Sequence, residues 1–82
     1  MSILDDKILI FARIKKEEPG FRIYIIERAA TEEEKILLST SVPVNRMTLE
    51  KVLESFGFHI KDIYNALEIN DGEYADIKHP LW

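Results

Sequence analysis

The chemistry in this sequence is concentrated in two segments where cations alternate with apolar and aromatic residues. These are KILIFARIKK (residues 7–16) and FRIYIIER (residues 21–28). Alternation with period two and β-branched content reads as strand, whose successive side chains point to opposite faces. One face then carries Ile8, Ile10, Ala12, Ile14, Phe21, Ile23 and Ile25. The other carries Lys7, Arg13, Lys15, Arg22 and Arg28 around Leu9, Phe11, Tyr24 and Ile26, and the segment after residue 34 adds Lys35 and Leu37.

Three chemistries suit an apolar and aromatic band rimmed by cations. Lys and Arg stems could lie over the band with their heads paired to nearby Glu. The band could be a protein interface with an aromatic centre and charged rim. It could also stack bases while cations track phosphates. The last conflicts with a formal net charge of −4, because phosphate contact dominates nucleic-acid affinity. A protein interface is therefore expected, with Leu9, Phe11, Arg13, Arg22, Tyr24, Ile26, Arg28 and Leu37 as its residues.

Catalytic chemistry finds little footing. His59 and His79 are the two histidines, and neither has a second ligand at i+4 as a helical metal site would. Glu32, Glu33, Glu34, Asp71, Glu73 and Asp76 fall mostly in runs that read as solvated loops. Asn70-Asp71-Gly72-Glu73 lacks the alternating acids of a calcium loop. Ser39, Thr40 and Ser41 have no nucleophile-elbow sequence around them. With three glycines, the chain has no glycine-rich phosphate loop. No catalytic residue, cofactor or metal is expected.

These residues need elements to position them. Glu17-Glu18-Pro19-Gly20 reads as a type II turn, with Pro fixing one corner and Gly accepting positive φ at the next. It joins the first two strands in a hairpin. Residues 29–34 read as a loop or as a short helix capped by Thr31. KILLSTSVPV, residues 35–44, reads as a third strand, with Pro43 placing it at an edge and Ile36, Leu38 and Val42 on the core face. The period then changes. Leu49, Val52, Leu53 and Phe56 share one helical face, with Thr48 as N-cap and Gly57 as a left-handed C′ residue. Ile60, Ile63, Tyr64 and Leu67 form the face of a second helix that ends at Asn70-Asp71-Gly72. The tail, with Tyr74, Ile77, Leu81 and Trp82, is too apolar to stay undocked.

The expected fold is α+β, a three-stranded antiparallel β-meander followed by two helices on one sheet face, βββαα. It forms a single domain over residues 1–82, divided into a meander (7–44), a helical pair (48–69) and a docked tail (70–82). The helical corner also has the spacing of a helix-turn-helix. Its exposed His59, Lys61, Asp62, Asn65 and Glu68 are poorly suited to phosphates, however.

Composition sets the outer bounds. Hydrophobic content of 46% with 32% charged residues is that of a folded domain. Absence of cysteine removes disulfides and thiolate chemistry and fits a reducing compartment. No signal peptide and no membrane-spanning run is read, so a cytoplasmic location is expected, in a cell or in an infected host. The acidic residues are spread along the chain. The expected function is that of a small non-enzymatic protein-binding module, a regulator, adaptor or inhibitor of the kind phages and mobile elements encode. It is expected to self-associate as a homodimer through the second sheet face. The alternative is a nucleic-acid-binding regulator that uses the basic sheet face or the helical corner.

Overall fold

A computed structural model describes residues 9–80. Lys7 and Ile8, assigned above to the first strand, and Leu81 and Trp82, assigned to the docked tail, lie outside them. The elements are β1 (Leu9–Glu17), β2 (Gly20–Arg28), β3 (Glu34–Ser39), α1 (Arg46–Ser55), α2 (Ile60–Ala66) and β4 (Tyr74–Lys78). They form one antiparallel sheet in the order β3-β2-β1-β4. The α+β class and the two helices agree with the sequence reading. The meander does not close the sheet, because the tail supplies a fourth strand beside β1. YADIK alternates Tyr74, Asp76 and Lys78 against Ala75 and Ile77, and Ile77, 3% exposed, seats it in the core.

The β1–β2 hairpin keeps the expected alternation, with Ala12 opposite Ile25 and Ile14 opposite Ile23. Its turn differs. The Glu18–Pro19 peptide is cis, which places proline at the second corner as in a type VI turn. Gly20 does not sit at positive φ. It is required because a Cβ there would overlap the Val44 carbonyl oxygen. That carbonyl accepts from the Phe21 N–H at 2.8 Å, and the Val44 N–H donates back to the Phe21 carbonyl at 2.8 Å.

β3 ends at Ser39 and does not continue to Val44. Thr40 Oγ1 accepts from the Ile23 N–H at 3.1 Å, and Val44 rejoins Phe21 in a single bridge. Between them Val42 is 62% exposed and not in the core. A bulge lies where Ile25 pairs with Leu38 and Ile26 with Ile36. The extra residue, Leu37, shifts the side-chain phase by one. Leu38 stays on the core face, while Ile36, expected beside it, turns to the opposite face and is 58% exposed. Lys35 moves the other way and pairs with Glu27. Residues 29–33 form a turn closed by Glu32 N–H to Ala29 carbonyl (2.8 Å) and Ala29 N–H to Glu33 carbonyl (3.0 Å), and not a helix.

α1 begins earlier than its apolar pattern suggests. Asn45 is the N-cap, its Oδ1 accepting from the Thr48 N–H at 2.8 Å, so Thr48 lies within the first turn. The C-terminus follows the sequence reading. Gly57 has φ +92°, its N–H donates to the Glu54 carbonyl at 2.9 Å, and the Phe58 N–H donates to the Leu53 carbonyl at 3.1 Å. This is a Schellman ending, with buried Phe58 folded back on buried Leu53. Leu49, Leu53, Phe58, Ile63 and Leu67 then pack with Ala12, Ile14, Phe21, Ile23, Ile25 and Ile77 in one core. Ile60 and Tyr64, read as part of the packed face of α2, are exposed.

Candidate interface on the uncovered sheet face

Both helices pack on the face of Ala12, Ile14, Ile23 and Ile25. Among the described residues, no helix or strand crosses the opposite face. The strand register arranges its side chains in rows that run across the strands. Glu34, Arg28 and Leu9 form one row. Ile36, Ile26, Phe11 and Lys78 form the next. Ser39, Tyr24, Arg13 and Asp76 form a third, and Arg22, Lys15 and Tyr74 a fourth. The face thus unites seven of the eight interface residues read from the sequence. Leu37, the eighth, sits in the bulge and is half exposed.

Its centre is closed, not open. Phe11 is 5% and Ile26 is 4% exposed. The Arg13 and Arg28 guanidinium carbons lie 5.3 Å and 4.9 Å from the centroid of the Phe11 ring, so two cations stack over one aromatic. Each guanidinium is in turn held by a carboxylate. Arg13 Nε and Nη2 donate to the two oxygens of Asp76 at 3.0 and 3.2 Å. Arg28 donates twice to Glu34 Oε2, at 3.1 and 2.6 Å. Arg22 Nε donates to Glu17 Oε1 at 2.9 Å, and Lys15 Nζ lies 3.5 Å from the other oxygen of Glu17 and 5.4 Å from the Tyr74 ring centroid. Its hydrogen bonds with Asp76 raise the Arg13 guanidinium above its ordinary value. The Tyr74 phenol and then Glu17 raise Lys15, and Glu17 raises Arg22.

The sequence reading missed Glu17, Glu34, Tyr74, Asp76 and Lys78 on this face. The last three could have been found from the alternation of YADIK, had its single buried isoleucine been given strand weight. The two acids cannot be paired with their arginines without the register. Lys35, expected here, belongs to the other side for the reason given by the bulge.

His79 proves to be a packing residue. It is buried, its ring meets Phe58 edge-on at 4.9 Å between centroids, and its Nε2–H donates to the Phe56 carbonyl at 2.7 Å. A carbonyl can only accept, so this bond fixes the proton on Nε2. It satisfies one of the carbonyls that α1 leaves open at its end. Among the described residues no three His, Asp or Glu side chains converge as a metal site would require. No described helix is long and apolar enough to cross a membrane.

In comparisons with known proteins, no family model, no curated protein and no solved structure matches this chain.

Proposed function

We propose that this chain is a non-enzymatic protein-binding module of the cytoplasm whose partner docks on the uncovered sheet face. One observation carries the reading. Among the described residues, the helices cover one side of the four-stranded sheet, and the other side presents Tyr24, Tyr74, Arg13, Arg22 and Arg28. Tyrosine and arginine are the residue types that dominate binding energy at protein interfaces. The guanidinium groups are already oriented by carboxylates and by the Phe11 ring, so docking on them orders little that is not ordered already.

Nucleic acid is the weaker reading for the same face. Its five described cations, Arg13, Lys15, Arg22, Arg28 and Lys78, share the surface with Glu17, Glu34 and Asp76. A phosphate backbone would have to displace those carboxylates or accept their repulsion.

The test is quantitative capture from the native host's extract with three immobilised forms: the parent, Tyr24→Glu, and Lys61→Glu on the helical side. Proteins retained by the parent and by Lys61→Glu but lost with Tyr24→Glu are the expected result. Equal retention on all three forms would move the interface off the sheet face.

A further inference from the structure

The two edges of the sheet are not equally guarded. β3 carries the bulge at Leu37, follows the acidic run Glu32 to Glu34, and approaches Pro43. Bulges, charge and proline all discourage pairing with another chain. β4 has no bulge, and its charges, Asp76 and Lys78, are of opposite sign, with Pro80 two residues past its end. It makes five regular pairs with β1 and contains no proline.

The ladder also fixes which way its backbone points. The Glu73 carbonyl accepts from the Lys16 N–H at 3.0 Å, and the His79 N–H donates to the Ile10 carbonyl at 3.1 Å. Residues 73 and 79 therefore face β1, and in an antiparallel ladder this alternates. The N–H and C=O groups of Tyr74, Asp76 and Lys78 point away from β1. Among the described residues, no strand pairs with them. Alongside runs an open groove of about 390 Å³, lined by Asp62, Asn65 and Ala66 of α2 and by residues 75–78. An added strand would lie about 4.8 Å from β4, along this groove.

The sequence of β4 says what would fit there. Two copies of the strand, paired antiparallel about an axis at Ile77, set Asp76 of each opposite Lys78 of the other. Both positions carry outward backbone groups, so this register joins two hydrogen-bonded pairs to opposite charges, while Tyr74 falls opposite Pro80, which can accept through its carbonyl but has no N–H to donate. Moving the axis to Asp76 sets two carboxylates directly opposite each other, which is unfavourable. We propose that β4 pairs with β4 of a second copy in the Ile77-centred register, continuing one sheet through both chains. The backbone edge of β4 is a different surface from the sheet face, although the side chains of Asp76 and Lys78 border that face, and the proposal does not depend on the function assigned to it. An edge contact buries far less than the roughly 1,200 Å² of a stable interface, so the dimer is weak and concentration-dependent.

Sedimentation velocity from low to several hundred micromolar tests it. The mass should rise from 9.6 kDa toward twice that value. Lys78→Asp should stay monomeric, because it places like charges opposite each other twice while leaving the Arg13–Asp76 pair intact. Lys78→Arg should dimerise like the parent. Asp76→Lys alone should be monomeric, and mixing it with Lys78→Asp should restore the dimer as a heterodimer. Circular dichroism confirms that each variant is folded. If Asp76→Lys does not fold, the contrast between Lys78→Arg and Lys78→Asp still decides the matter. Three results would overturn the proposal: a parent that is monomeric at several hundred micromolar, a dimer that survives Lys78→Asp, or a dimer abolished by Tyr24→Glu on the sheet face.

Discussion

At position 57 a side chain meets two obstacles. The backbone φ is +92°, and a Cβ would lie 3.0 Å from His79 Nε2, the atom that caps the end of α1. Gly57→Val should lower stability by about 1–2 kcal/mol from backbone conformation alone, with loss of the His79 bond adding to it. A lowered denaturant midpoint at unchanged slope is the expected reading, and an unchanged midpoint would refute the Schellman ending. Gly20 fails differently. Gly20→Ala forces a methyl into the Val44 carbonyl, an overpacking that costs about 1–3 kcal/mol, although the residue is not at positive φ. The sequence showed glycine at both positions but suggested one reason for both. The close approach of Val44 comes from a chain segment more than twenty residues away, and no local pattern reports it. The N-cap is a similar case. Thr48 and Asn45 are both good capping types, and the apolar face, which begins at Leu49, favoured the nearer one. Asn45→Ala should cost about 1 kcal/mol and Thr48→Ala much less, measured by the same unfolding curves.

Among the elements, the hairpin and the two helices were legible because their periods are strong and their turn residues stand where a turn is needed. β4 was not, because three of its five residues are Tyr, Asp and Lys on the uncovered face and Pro80 follows closely. Its structural weight rests on one buried side chain. Ile77→Ala should therefore cost about 2–5 kcal/mol, as a core truncation does. Asp76→Asn, which weakens an exposed ion pair with Arg13, should cost about 0–1 kcal/mol. Similar small costs for both would mean that the tail is an ornament and not a strand. The bulge in β3 explains the other errors of placement, since one extra residue exchanges Ile36 and Lys35 between faces. It also changes what a mutation at the sheet centre tests. Phe11 is covered by Arg13 and Arg28, so Phe11→Glu would bury a charge and destabilise the fold. Tyr24→Glu probes the same face without that damage.

For the molecule as a whole, the described helices pack on one side of the sheet, and the proposed partner docks on the other. The candidate site was legible as a set of residue types but not as a surface. Alternation assigned the cations correctly on β1 and β2, while the carboxylates that neutralise them arrive from β3, β4 and the hairpin end. That pairing leads to a prediction about nucleic acid. Fluorescence anisotropy with mixed single- and double-stranded oligonucleotides should show no submicromolar binding at physiological salt. Were the face a phosphate-binding surface, log K would fall by about 0.7–0.9 per phosphate contacted for each log unit of salt, and Arg22→Ala or Arg28→Ala would lower that slope by about one. The most direct measurement is a map of the surface itself, obtained by titrating ¹⁵N-labelled protein with the partner recovered by capture and following backbone amides. Shifts are expected to concentrate at Arg13, Arg22, Tyr24, Ile26 and Arg28, with the amides of α1 and α2 little changed. Shifts confined to α1 and α2, with β1 and β2 unmoved, would contradict docking on the sheet face.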